Sequence, residues 1–105
     1  MILYPPFLKR GITLMPSLIL IPQWAKSDPA YLAHEQCHVA QQRKHGVFTF
    51  WLRYLSDSLF RQAMEVESYR AQIKSGTSLS YCAQQLYLGY NLGLEYMDCV
   101  KLLEV

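Results

Sequence analysis

Charged side chains are scarce in this chain: they make up 17% of its 105 residues, against 51% for hydrophobic ones. So low a share excludes a disordered chain, which stays unfolded through high charge and little apolar surface. The charges nearly cancel, at a net +2, and Arg43-Lys44-His45 is the one basic cluster. Cations suit a helix C-terminus, so no nucleic-acid partner is expected. Cysteine is sparse as well. Cys37, Cys82 and Cys99 cannot all pair within one chain, and none has Cys-x-x-Cys spacing. A disulfide framework is therefore excluded, and a reducing, cytoplasmic setting is expected.

Long apolar runs are missing too. Pro5, Pro6, Lys9, Arg10, Gly11 and Pro16 break the apolar N-terminus before a signal-peptide core forms. Val47 to Phe60 is too short to span a bilayer and contains Arg53 and Asp57. Packing inside the protein is the favoured role for that stretch, and contact with a membrane surface the less favoured one. The length suits one domain, residues 1–105, with a single modest core.

What is present divides into two parts. Residues 1–22 are rich in isoleucine, leucine and proline; Ile12 to Met15 and Leu18 to Ile21 read as short strands of a hairpin. Residues 28–103 read as helical. Asp28 can cap a first helix, with Pro29 at its first position, running to about Lys44 before Gly46. Val47 to Ser56 and Ser58 to Lys74 follow as helices. Ser78 caps a last helical stretch, interrupted near Gly89 and Gly93, that continues to about Leu103. Strands first and helices afterwards predict a small, mostly helical α+β fold with a short N-terminal β-hairpin.

The chemistry concentrates in His34-Glu35-Gln36-Cys37-His38. At about 100° per residue, His34, His38 and Gln41 share one face of the first helix, opposite Leu32, Ala33, Val39 and Ala40. Histidines at i and i+4 project one turn apart, so both rings can converge on one zinc ion. Glu35 is rotated away by one step, where it can reach a water in an open coordination position. Cys37 points off this face and reads as a packed thiol. His45, two turns beyond His38, is too far along to share the ion.

Two histidines leave a zinc site incomplete. The third helix supplies Glu65 and Glu67. Glu65 has the small Ser68 three residues on, so that face can approach another helix closely. Glu67 has Arg70 at the same offset, which favours an intrahelical ion pair. A wheel also puts Glu67 near the apolar stripe of Leu59, Phe60, Ala63 and Met64, where a buried glutamate would need a partner. Glu65 is the favoured third ligand and Glu67 the alternative.

With these residues in hand, the chain resembles the gluzincins, zinc peptidases with His-Glu-x-x-His on one helix and a glutamate ligand on a later one. The run His34 to Gln41 is also similar to small bacterial and phage-borne metallopeptidases. Glu65-Val66-Glu67-Ser68-Tyr69 is similar to the Glu-x-x-Ala-Asp pattern of heat-shock-type and prenyl-protein-processing endopeptidases. The likeness covers roughly residues 18 to 72. It implies a minimal zincin-like domain with His34, His38 and Glu65 as ligands of one Zn2+ and Glu35 as catalytic base. Ser68 and Tyr69 stand where that pattern has alanine and aspartate, so Gln41 or Tyr69 would orient a ligand histidine instead.

The leading functional expectation is a zinc-dependent peptidase acting on a peptide or protein substrate. Its alternative is an inactive, zinc-stabilised binding or structural protein, and a helical interaction module without metal comes third. Tyr69, His45 and the C-terminal tyrosines are candidates for stabilising an oxyanion. Leu18 to Ile21 is a candidate edge strand for pairing with a peptide, with an ordinary core strand an equally good reading. The aromatic run Val47 to Leu55 is expected in the core, with shielding of the site or an oligomer contact as its alternatives. The C-terminal helical stretch is expected to pack on the zinc helices.

Overall fold

Prolines and short apolar runs shape the first third of the chain in the computed structural model, which describes residues 1–104. Strand β1 (Ile2–Leu3), β2 (Ile12–Met15) and β3 (Leu18–Leu20) form one sheet in the order β1-β3-β2. The hairpin expected from Pro16-Ser17 is there: β2 and β3 run antiparallel, with Thr13 opposite Ile19. β1, which the sequence reading left out, joins β3 in parallel. Leu18–Leu20 is thereby the central strand, paired on both sides, which is the ordinary core-strand reading and not the edge-strand one.

Helix α1 (Pro29–His45) begins where Asp28 accepts hydrogen bonds from Ala30 N at 3.0 Å and Tyr31 N at 3.3 Å. Such a cap is worth about 1 kcal/mol. It ends at Gly46, whose φ of +84° is a conformation side-chain-bearing residues rarely adopt. Helix α2 (Val47–Ser56) follows directly. Asp57 then caps α3 (Ser58–Lys74) through Leu59 N and Phe60 N. Helix α4 (Leu79–Gly89), capped by Ser78, leads through a loop to α5 (Tyr96–Leu103). The fold is α+β and mostly helical, as expected. No helix among the described residues is long and apolar enough to cross a membrane.

Two apolar clusters frame a polar seam. Ile19, Ile21 and Ala25 pack with Tyr31, Leu32 and Val39, joining the sheet to α1. Tyr69, Cys82, Ala83, Leu86, Cys99 and Leu103 join α3 to the two last helices, so the C-terminal stretch does pack on α3. Cys82 and Cys99 serve there as small hydrophobes, and burial pushes the Cys82 thiol up to about 12.

Between the clusters, α1 lies along α3, its most extensive neighbour. The faces that meet are polar: α1 buries His34, Glu35, His38, Gln41 and Gln42, and α3 buries Glu65, Ser68 and Gln72. The fully buried Ser68 supplies the small contact that allows this approach. Burying so many polar groups is costly unless they bond to one another or to a ligand.

Helix α2 is only partly core, and it lines the cleft beside the seam, as its alternative reading had it. Phe50 is core, but Phe48 is 81% exposed and Leu55 73% exposed. A ten-residue helix lying on the seam has one face to bury, and Phe50 and Tyr54 occupy it. Trp51 instead ties the helix to the sheet, donating from Nε1 to Leu14 O at 2.9 Å.

Candidate metal centre

The α1–α3 seam brings His34, His38 and Glu65 into direct contact. His34 Nε2 lies 3.2 Å from Glu65 Oε1, and His38 Nε2 lies 3.1 Å from Glu65 Oε2. All three side chains are buried, at 5%, 7% and 2% exposure, at the floor of a cleft of about 700 Å³. Helical periodicity places the histidines one turn apart, and the Ser68 contact brings α3 close enough for Glu65 to reach both rings.

These residue types are the ones that hold zinc. Bonds of about 2.0 Å from an ion to nitrogen or oxygen put neighbouring donors roughly 3.3 Å apart, and each Glu65 oxygen lies 3.1–3.2 Å from one ring nitrogen. Glu65 Oε1 is buried with only the His34 ring beside it and no well-aligned hydrogen bond, which leaves it a lone pair to offer an ion. Neutral imidazoles and one carboxylate are a donor set suited to zinc.

Electrostatics tie the three together. Burial alone would raise the Glu65 carboxyl, but the adjoining His38 and His34 rings overcome it and hold the group below the usual carboxylate range. Burial would likewise lower His38, yet the Glu65 charge and contact outweigh it and push the ring up to about 9. An uncompensated charge here would cost several kcal/mol, roughly 3–5 when one partner of a buried pair is removed.

Glu35 stands one step back. Its Oε2 is 3.9 Å from His34 Nε2, and the donor atoms of His34, Glu35 and His38 all lie within 4.8 Å of one another. Thr13 Oγ1 sits 3.0 Å from Glu35 Oε1 and the same distance from Glu35 O. One carboxylate oxygen is thus tied to β2, while Oε2 is left beside the histidine. Burial raises the Glu35 carboxyl, opposed by the two histidines. Of the two glutamates, Glu65 has the shorter contacts to the rings, while Glu35 is the one that clusters with both histidines within 4.8 Å.

Glu67, the alternative, is exposed and forms no ion pair with either ring. Its Oε1 accepts from Gln41 Nε2 at 2.8 Å and lies 3.6 Å from Cys37 Sγ. The expected Glu67–Arg70 pair is absent, because Arg70 donates to Leu102 O on α5 instead. The apolar stripe assigned near Glu67 is only partly buried: Phe60 is core, but Leu59 is 75% exposed and Ala63 is exposed too. Cys37 is off the site, as expected, and partial burial pushes its thiol up to about 11.

Gln41 does orient a histidine: its Oε1 lies 2.8 Å from His38 Nδ1, with Ser68 Oγ at 3.3 Å from the same nitrogen. Tyr69 does not hydrogen-bond a ligand. Its ring packs edge-on against His34, with centroids 4.3 Å apart, and its hydroxyl meets Tyr90 OH at 2.7 Å. His34 Nδ1 is buried without a partner, and the residue also lines a small cavity of about 30 Å³. His45 packs on Phe60 and does not line the cleft, which removes it as an oxyanion donor.

Tyr54 is the residue that sequence reasoning missed. From α2 its hydroxyl donates to Glu65 Oε2 at 2.6 Å, and burial beside that carboxylate raises the phenol well above its ordinary value. Phe50, Trp51 and Tyr54 at spacings of one, three and four were the available signal, since they mark the inward face of α2. Arg61 fixes this corner by donating to Tyr54 O at 2.7 Å and Tyr90 O at 2.9 Å. Comparison with family models, curated proteins and solved structures finds no match to this chain.

Proposed function

We propose that the protein is a zinc-dependent peptidase of gluzincin type, with His34, His38 and Glu65 as the ligands of one ion. The observation that carries this reading is the convergence of both Nε2 atoms on one buried carboxylate, 3.2 and 3.1 Å away, under an open cleft. A zinc ion held there would supply an acidified water and polarise the substrate carbonyl.

The chain's own groups carry the rest. Glu35 Oε2, left free by the Thr13 contact to Oε1, takes a proton from the attacking water and returns it to the leaving amine. The burial that raises its carboxyl brings its proton affinity nearer that task. Gln41 holds the His38 ring, and Thr13 holds Glu35 against β2. Ile12, Phe50, Trp51 and Tyr54 line the cleft and favour an apolar stretch of peptide. The reading includes a reducing, cytoplasmic setting, which the three free cysteines support.

The test is cleavage of a mixed peptide digest by zinc-loaded protein. Glu35→Gln should slow it at least about a hundredfold while zinc content is unchanged. A digest left intact by the zinc-loaded native protein would reject the peptidase reading.

A further inference from the structure

Three cations line the cleft above the candidate metal centre: Lys9, Arg10 and Arg61. Among the described residues, the ion pairs are the histidine–glutamate contacts already described, so none of these cations meets a carboxylate. Arg61 is committed to backbone carbonyls at Tyr54, Tyr90 and Asn91. Lys9 is exposed and takes no fixed partner. Arg10 is different: it is half-buried and held, yet little of its bonding capacity is used.

Its guanidinium is fixed on three sides. One nitrogen, Nη2, donates to Gln85 Oε1 at 3.1 Å, and the group lies over the Tyr90 ring, 5.2 Å from its centroid. It also lies so close to Gly89 that a β-carbon there would collide with it. A guanidinium has five N–H donors, and the contact to Gln85 occupies one. The next residue, Gly11, brings the backbone against the site, since a β-carbon on it would fall 3.0 Å from Glu35 Oε2. A positioned, incompletely bonded guanidinium on the wall of the cleft that also holds Glu35 matches a carboxylate, which it can grip through two parallel bonds.

We propose that Arg10 anchors a carboxylate of the peptide entering the cleft, borne by its C-terminus or by an acidic side chain. The inference rests on the peptidase reading for the identity of the ligand, and it names the substrate class: peptides with a negative charge near the bond cleaved.

Binding separates the two ideas from each other. Zinc-loaded protein carrying Glu35→Gln, which blocks turnover, is titrated by calorimetry with three peptides. These are acetyl-Ala-Leu-Phe as free acid, the same peptide as C-terminal amide, and acetyl-Ala-Glu-Phe amide. At least one carboxylate peptide should bind about tenfold or more tightly than the neutral amide. Preference for the free acid identifies the C-terminus, and preference for the glutamate peptide identifies an acidic side chain. Adding Arg10→Ala should abolish the preference without weakening the neutral amide, and Arg10→Lys should restore part of it.

Equal binding of all three peptides, or no binding of either carboxylate peptide at millimolar concentration, overturns the proposal. So does an Arg10→Ala loss that falls equally on all three, since that is the mark of a structural tie. A carboxylate preference without cleavage by the native protein rejects the peptidase reading and keeps the anchor. Cleavage without the preference does the reverse.

Discussion

Gln41 meets His38 through its carbonyl oxygen, not its amide nitrogen. The nitrogen faces Met64 O at 2.9 Å and Glu67 Oε1 at 2.8 Å, both of which can only accept. Oε1 therefore accepts from His38 Nδ1–H at 2.8 Å, which leaves the Nε2 lone pair for an ion. Gln41→Leu removes that constraint. Zinc affinity, measured by competition with a chelator, should fall about 10–100-fold while the helical circular dichroism is retained. An unchanged affinity would show that His38 is oriented by Ser68 or by packing alone.

Tyr54 holds Glu65 from the other side. Tyr54→Phe deletes a hydrogen bond to a buried carboxylate, worth roughly 1.5–3 kcal/mol. Denaturant unfolding of the metal-free protein should register a loss of that order. A loss near zero would mean that the two histidines satisfy Glu65 unaided.

His38 makes the metal-free protein sensitive to alkali. Its folded-state value, about 9, lies above the ordinary 6.5 because the Glu65 carboxylate outweighs burial. The stabilisation is complete below about pH 6.5 and is lost as pH rises through about 9. The thermal midpoint of metal-free protein should therefore fall across that window. Zinc affinity should rise over the same range, since the ion competes with the Nε2 proton. A flat midpoint from slightly acidic to alkaline pH would contradict the pairing of His38 with Glu65.

Gly11 is required by the site, not by its backbone angle. A β-carbon there would lie 2.8 Å from Tyr31 Cε1 and 3.0 Å from Glu35 Oε2. Gly11→Ala should displace Glu35 and lower peptide turnover about tenfold or more, the usual scale for a misplaced base, at unchanged zinc content. Turnover equal to that of the native protein would mean that Glu35 Oε2 has room to move without consequence.

The sequence was most informative where short-range rules apply. Asp28 and Pro29, Gly46, Asp57 and Ser78 mark helix ends through backbone chemistry that needs no tertiary context. The i, i+4 spacing likewise put His34 and His38 on one face, and the small Ser68 pointed to Glu65 as the residue on the approaching face. Three features depend on partners distant in the chain and were not legible. β1 pairs with a strand 17 residues away, so Leu18–Leu20 became central. Tyr54 reaches Glu65 only through the angle between α2 and α3. Arg70 turned to Leu102 because α5 returns beside it, which released Glu67 to Gln41.

Metal stoichiometry bears most directly on the whole reading. Elemental analysis of protein purified with zinc and dialysed should find about one ion per chain, as one four-coordinate site requires. His38→Ala and Glu65→Ala should each lose it, and Glu67→Ala should keep it. A native protein without zinc, or a Glu65→Ala variant that retains the ion while Glu67→Ala does not, would contradict the assignment.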